Sequence, residues 1–375
     1  MKAWCENAVR DASSIYIYET GMRRLDHYWY NKNLLVILLV PLSWVFCLVS
    51  MLRRKAYQMR LLKVTRLPVP VIIVGNISVG GTGKTPLVLW LVHFLKQAGY
   101  RPAIISRGYG GKAQHWPQCV TPDSDAILVG DEAVLLARRG GCPMAVAPNR
   151  VAAARIVLEN NVCDVIICDD GLQHYALARD IEIAVIDGVR RFGNGYCLPA
   201  GPLREPQSRL KSVDFAVMNA EPEATAAHGF TSVAADRPPE TTARHGQFSM
   251  QLRNGALHHV GDDNKICDIS VFYGQVVHAV AGIGHPARFF KHLRALGLEI
   301  IEHAFPDHYL FTMQDLQFGS NPEVNIIVIM TEKDAVKCRG FAGENYWYMP
   351  VDVQLNSEFG ERLLEQLRAR KIDNG

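Results

Sequence analysis

Short apolar runs that end in glycine, serine or an acid recur along the chain from residue 71 onward. Val71-Ile72-Ile73-Val74 is β-branched and has no polar position, the pattern of a parallel strand covered on both faces. Ala103-Ile104-Ile105, Val162 to Cys168 and Ile181 to Ile186 follow it, and Val213 to Asn219 closes this first set. Helical spacing lies between them, in Leu87-Val88-Leu89-Trp90-Leu91-Val92 after Pro86 and again from Ala133. Strands alternating with helices predict an α/β fold with a mostly parallel sheet. From Glu221 to Asp263 the texture shifts to Ala, Thr, His, Pro and Gly, which predicts a variable, partly strand-forming segment. Val276 to Ala281 returns to strand, Ala287 to Leu296 has helical spacing, and Asn325 to Met330 is the last clear buried strand.

One apolar run is of another kind. From Leu34 to Leu52 there is no charge at all. As a helix it would extend about 28 Å, close to the roughly 30 Å of a bilayer's hydrocarbon. Arg23, Arg24, Tyr28, Trp29 and Tyr30 precede it, and Arg53, Arg54, Lys55 and Tyr57 follow. Basic residues on both sides give no orientation, and Pro41 lies inside the run. A spanning helix, a helix in one leaflet and a buried soluble helix all fit the run, and membrane attachment is the expectation. A cleaved signal peptide does not fit, because Arg53-Arg54-Lys55 stands where a small-residue cleavage site belongs. Residues 1–21 are weakly patterned, and Met22-Arg23-Arg24 reads as a fresh start.

Composition narrows the classes. With 49% apolar and 21% charged residues the chain is globular, and a net charge of +3 argues against a nucleic-acid binder. The 9 cysteines form no C-x-x-C pair, so neither a zinc site nor a disulfide framework is expected. Cys163 and Cys168 read as core residues in a reducing cytosol.

The chemistry starts where the first strand ends. Gly80-Gly81-Thr82-Gly83-Lys84-Thr85 runs into Pro86 and a helix, and strand, glycine loop and helix N-terminus are what grip phosphates. Backbone N–H groups of residues 80–84 would wrap the phosphates, Lys84 would neutralise the β/γ charge, and Thr85 would ligate Mg²⁺. Ser78 stands where the strict pattern has a further glycine. Asp169-Asp170 ends an apolar strand, either as turn chemistry or as the Walker B carboxylates beside Mg²⁺. Asp131-Glu132 opens a helix, which suits the dipole and equally suits a base or metal-associated carboxylate. Ser106-Arg107-Gly108-Tyr109-Gly110-Gly111 is a simple loop or a ligand loop at a strand end. The Gly- and Pro-rich stretch 190–206 is long for a compact domain, and its arginines suit an anion.

These parts imply an NTP-using enzyme or switch. A GTPase reads guanine with Asn-Lys-x-Asp, and Thr331-Glu332-Lys333-Asp334 fails that spacing. Partition ATPases of the ParA/MinD type carry a lysine where this chain has Val79. Phosphoryl transfer to an acceptor remains, with a membrane-bound ATPase switch and a soluble small-molecule kinase as rivals.

An ordered set of motifs then resembles one family. It comprises Val74-Gly75-Asn76, Gly81 to Pro86, Ser106 to Gly110, Gly130-Asp131-Glu132 and Asp169-Asp170-Gly171-Leu172-Gln173-His174. It continues with Arg191 to Gly195, Leu198 to Glu205, Ala281 to Pro286, Asp307-His308 and Met330 to Lys337. From about Met22 onward the chain resembles the membrane-associated tetraacyldisaccharide 4′-kinases of lipid A biosynthesis in Gram-negative bacteria. The resemblance implies transfer of the ATP γ-phosphate to the 4′-hydroxyl of tetraacyldisaccharide 1-phosphate, giving lipid IVA. It makes Asp131 the base with His308 beside it, Lys84 catalytic, and Thr85, Asp169 and Asp170 the Mg²⁺ ligands. Arg107, Tyr109, His174, Asn194 and Arg204 become candidates for phosphate or sugar contacts. An acylated substrate would keep the enzyme on phospholipid, at the cytoplasmic face of the inner membrane, attached through residues 34–52; neither nucleic acid nor an obligatory protein partner is implied. The expected architecture is an extension (1–33), a membrane helix and linker (34–67), a P-loop NTPase core (68–220) and a smaller C-terminal α/β lobe (221–375) that closes over the site and delivers His308.

Overall fold

The computed structural model describes residues 29–30, 34–220, 243–318 and 326–373. The expected extension 1–21, the flanking Arg23, Arg24 and Tyr28, much of the variable segment and Asn325 lie outside the described residues.

Strand β1 (Val71–Gly75) is buried at every position, as its unbroken apolar run requires. It pairs in parallel with β5 (Val165–Asp169) on one side and β6 (Ile181–Asp187) on the other. The register sets Val74 against Asp169, so the strand-end carboxylate stands beside the start of the glycine loop. β5 begins later than the apolar run suggests. Val162 is exposed, and Asp164 turns back to accept the Arg101 N–H at 2.8 Å. β2 (Pro102–Ser106), β4 (Met144–Val146) and the short β3 (Gln118–Cys119) extend the sheet beyond β5.

On the far side β7 (Phe215–Ala220) follows β6, but it does not close the sheet. β8 (Gln247–Asn254) pairs with β7 in parallel, and β15 (Val351–Leu355) pairs antiparallel with β8. Two strands and the terminal helix from beyond residue 220 therefore complete a nine-stranded sheet that was expected to end at Asn219. The signal was the alternation Phe248, Met250, Leu252 with polar residues between, a period-2 pattern hidden in a polar composition.

Helices cover both faces. On one, α2 (Lys84–Gln97), α4 (Asp131–Gly140) and α8 (Ser357–Asp373) bury Leu87, Leu91, Val134, Leu136, Phe359 and Leu363 against the sheet. On the other lie α5 (Arg150–Asn160) and the 190–213 stretch, with Phe192, Leu203 and Leu210 inside. A second, six-stranded sheet has the order β10 (Ile266–Cys267), β9 (Leu257–His259), β14 (Tyr346–Met349), β13 (Ile327–Thr331), β11 (Val276–Ala281), β12 (Glu299–Ala304). It carries α6 (Pro286–Ala295) and α7 (Glu332–Cys338), and this sheet with its helices and loops is the second lobe, smaller than the expected 221–375 because β8, β15 and α8 belong to the first sheet.

Helix α1 (Leu34–Gln58) takes up the uncharged run, with Pro41 inside it. Only 11% of its most apolar stretch is buried, so it is not the core helix of a soluble protein. Leu38, Leu42, Val45, Leu48 and Leu52 are exposed, while Phe46 and Cys47 rest on the core. Polar contacts run along its length: Ser43 Oγ donates to the Cys197 carbonyl (2.7 Å), Arg53 to that of Gln173 (3.1 Å) and Arg54 to Ser212 Oγ (2.6 Å).

Beneath α1 lies an ionic cluster centred on Arg209, 1% exposed, which bonds Glu182 (2.5 Å) and Tyr175 (3.2 Å) and lies 3.7 Å from Glu205. Arg209→Met leaves two buried carboxylates short of a cation and should cost about 3–5 kcal/mol, read as a fall in the urea unfolding midpoint. An unchanged midpoint would mean that water or Arg179 replaces the lost charge.

Candidate active site

The glycine loop is shaped by backbone demands that only some of its glycines meet. Gly80 and Gly83 have φ of 103° and 89°, where a side chain is strained. A Cβ on Gly83 would also sit 2.9 Å from Asn219 Nδ2. Ser78 is not in a left-handed conformation and bridges to Leu203, so nothing calls for glycine there. Asn76 Nδ2 donates to the Gly80 carbonyl (3.3 Å) and Asn219 Nδ2 to that of Thr82 (3.3 Å), holding the loop open at the N-terminus of α2.

Lys84 Nζ lies 3.4 Å from Asp170, and Arg204 bonds both oxygens of the same carboxylate at 3.1–3.2 Å. Burial would raise the Asp170 carboxyl, but Lys84 and Arg204 outweigh it and bring it down to about 2. Asp169 is the opposite case. Burial first, then the charges of Glu132 and Asp170, push it up to about 7. Its Oδ2 accepts from Ser106 Oγ (3.2 Å), while Oδ1 is buried with no hydrogen-bond partner among the described residues. A buried carboxylate oxygen without a donor is costly unless a cation meets it. Thr85 stands in the first turn of α2, half-buried. The residues present therefore fit a hard cation that takes few protein ligands and completes its shell on phosphate oxygens.

Asp131 opens α4; the helix starts there rather than at Ala133. Asp131 is 4% exposed, and both its oxygens lie 3.1 Å from Nδ1 of His308, which comes from the second lobe with φ of 60°. A carboxylate only accepts, so Nδ1 carries the hydrogen and Nε2 is left for other partners. The Tyr109 ring packs 5.2 Å from the imidazole, and a Cβ on Gly110 would come within 3.5 Å of it. Lys333, from the start of α7, binds Glu132 (3.2 Å), Asp307 (3.1 Å) and His308 Nε2 (3.4 Å). Burial raises the Asp131 carboxyl, but the hydrogen bond from His308 and the charges of Lys333, His308 and Lys337 leave it below the usual range. His308 is raised, first by its bond to Asp131 and against its own burial.

The remaining expected residues divide. Arg204 belongs to the carboxylate group and Tyr109 to the His308 contact. Arg107 is exposed on the loop after β2. His174 faces inward: its Nε2 accepts the Arg150 N–H (3.3 Å) at the start of α5, and burial and nearby arginines hold it down to about 4. Asn194 braces its own loop, donating to Ala200 O (2.8 Å) and accepting from Tyr196 N.

Arg190, one of the arginines by which the 190–206 stretch suits an anion, donates to Gly81 O in the glycine loop (2.5 Å), is held by Asp187 (3.0 Å) and contacts His285 of the second lobe. Arg288 of that lobe reaches the same Asp187 at 3.6 Å. The acidic end of β6 was visible, but nothing in the sequence says that one carboxylate gathers guanidiniums from both lobes.

Residues 35–368 match the LpxK family, tetraacyldisaccharide-1-P 4′-kinase. The tetraacyldisaccharide 4′-kinase of Nitrosococcus oceani is 51% identical over 349 residues, covering 92% of this chain and 96% of that protein. That of Coxiella burnetii (strain RSA 331 / Henzerling II) is 43% identical over 354 residues, 93% of this chain and 98% of that one. The crystal structure of the "apo" form of LpxK from Aquifex aeolicus, in complex with ATP, aligns with a TM-score of 0.73 at 29% identity, over 89% of this chain and 100% of that one.

The Asp131 carboxylate is the chief reason His308 holds its proton above the ordinary 6.5. In Asp131→Asn that support goes, while burial and Lys333 still act downward with only Asp307 acting upward, so His308 should titrate lower than in the native protein. NMR titration of the imidazole in both proteins reads this. An unmoved pKa would show that the contact does not set the protonation of His308.

Proposed function

The chain belongs to the tetraacyldisaccharide-1-P 4′-kinase family, lipid A biosynthesis kinases that act on an acylated disaccharide, and from that premise we propose how its site divides the work. ATP lies with its phosphates on the loop Gly80–Thr85, against Lys84 and the N-terminus of α2. The 4′-hydroxyl of tetraacyldisaccharide 1-phosphate approaches from the side of Asp131 and His308. Its oxygen bonds to the γ-phosphorus as the bond from that phosphorus to the β–γ bridging oxygen breaks. ADP departs with the electron pair, and the hydroxyl proton passes to the Asp131–His308 pair.

The observation that supports this best is the pair itself: a buried carboxylate of the core meeting a histidine of the second lobe at 3.1 Å. A carboxylate held below its usual range is a poor base toward a sugar hydroxyl; a neutral imidazole steadied by that carboxylate is a better one. Asp131 orients the ring and stabilises the imidazolium as the proton arrives. Lys84 and Arg204 gather positive charge beside Asp170, where the departing phosphates need it. Thr85, Asp169 and Asp170 would hold Mg²⁺, which when bound neutralises phosphate charge. Arg107, exposed at the crevice side of β2, is free to meet an anionic part of the substrate.

Membrane attachment through α1 belongs to the same reading. Its exposed leucines and valines form an apolar surface, while Ser43 near its middle and Arg53 and Arg54 in its last turns fix it to the core. A helix tied down along its length suits burial in one leaflet of the inner membrane's cytoplasmic face better than a crossing. The core then sits where acyl chains need not leave the bilayer.

Two experiments test this. Transfer of label from γ-labelled ATP to tetraacyldisaccharide 1-phosphate in micelles should fall about 10²–10⁴-fold in Asp131→Ala with ATP binding retained. Release of free phosphate without labelled lipid would instead favour an ATPase switch. Replacing Leu42, Val45, Leu48 and Val49 by Ser should release the protein from phospholipid vesicles; unchanged co-sedimentation would remove α1 as the anchor.

A further inference from the structure

Beyond the pair itself, a second lysine of the C-terminal lobe reaches Asp131. Lys337 lies one helical turn after Lys333 on α7, so both point from the same helix toward the start of α4. Its side chain is 4% exposed, and its Nζ stands 3.7 Å from Asp131 Oδ2 and 2.8 Å from Asp334. Asp334 is fully buried and fixed in turn: its Oδ2 accepts the Gly282 N–H (2.8 Å) and the Thr331 hydroxyl (2.6 Å). The ammonium also lies 5.0 Å from the centre of the Phe311 ring. A lysine buried this deeply loses its hydration, and the fold has surrounded it with two carboxylates and an aromatic face.

We propose that Lys337 is a positioning residue for phosphoryl transfer, its buried ammonium tuning the Asp131–His308 pair so that His308 stands deprotonated, ready to accept the hydroxyl proton, near neutral pH. The claim rests on the reading of that pair as the proton acceptor. The charged groups that face the pair are countable. From α4 there is Glu132; from the loop before His308, Asp307; from α7, Lys333 and Lys337, with Asp334 behind the latter. Tyr109 contributes only a ring face at 5.2 Å. Lys333 is already divided among Glu132, Asp307 and His308, whereas Lys337 has Asp131 and Asp334 as its carboxylates. Without Lys337, the negative charge on Asp131 acts on His308 less opposed. Both apparent pKa values of the coupled pair then rise, and His308 keeps its proton where it should be free to take one.

The reading is specific because a structural role predicts something different. In Lys337→Met, the His308 titration followed by NMR should move up by about one pH unit. Transfer to the lipid acceptor at pH 7 should fall about three- to fivefold, with KM for ATP unchanged, and should recover toward the native rate as pH rises through 8 to 9. Lost packing cannot be restored by alkali. Lys337→Arg keeps the cation and should leave the titration where it is. Where Lys337→Met alone unfolds, Lys337→Met with Asp334→Asn removes both buried charges and should give a smaller shift in the same direction. A His308 titration that does not move in a folded Met variant, or a loss of rate equal at every pH, would overturn the role of Lys337. Either result leaves the reading of Asp131 and His308 as the proton acceptor standing, because that reading falls only if Asp131→Ala still transfers phosphate at the native rate.

Discussion

A carboxylate almost wholly withdrawn from water has to be met by positive charge, and Asp131 is met from another part of the fold. His308, Lys333 and Lys337 all belong to the second lobe, while Asp131 begins a helix of the first. The ionic group is therefore assembled from both sheets, where α7 meets α4. Arg139 of α4 reinforces the join through Glu332 of α7 (3.0 Å), and Arg190 does so on the glycine-loop side through His285.

Across the crevice the charges are ordered by environment. Asp170 is ionised by two cations, Asp169 is held back by burial to about 7, and Asp131 is ionised by its partners. Three acids of one type therefore stand in three environments: one is clasped by Lys84 and Arg204, one keeps a buried oxygen without a hydrogen-bond partner among the described residues, and one lies against an imidazole. Their separation follows from strand register and helix starts. β5 ends on Asp169 beside β1, and the left-handed φ of 47° at Asp170 turns the second carboxylate toward the glycine loop.

Much of this was legible in the residues. The unbroken apolar strands, the glycine loop opening a helix, and paired acids ending a strand each obey a local rule, and all three stand where that rule puts them. The apolar N-terminal run was equally plain, though only coordinates show that Ser43, Arg53 and Arg54 tie it along the core. What escaped was non-local. β8 and β15 join the first sheet from beyond residue 220, and they were hard to read because these half-exposed strands at its end alternate rather than run apolar. His174, adjacent to the acid pair in sequence, turns inward to accept from the α5 N-terminus, and Asn194 braces a loop. Lys337 looks like ordinary surface charge until the fold sets it against Asp131, and Arg190, read only as one of a loop's anion-seeking arginines, turns out to brace Gly81. The roles of Asp131 and His308 were open on residue chemistry alone, and it was the family resemblance that singled them out.

The central claim is that Asp131 and His308 act as one group. A double-mutant cycle on the rate of phosphate transfer to the lipid acceptor, with Asp131→Ala, His308→Ala and both together, tests it most directly. Residues that act as a unit cost no more when both are removed than when the more important one is. The account predicts that the double variant is as slow as the slower single variant. Losses that multiply would contradict it and make the 3.1 Å contact incidental to the reaction.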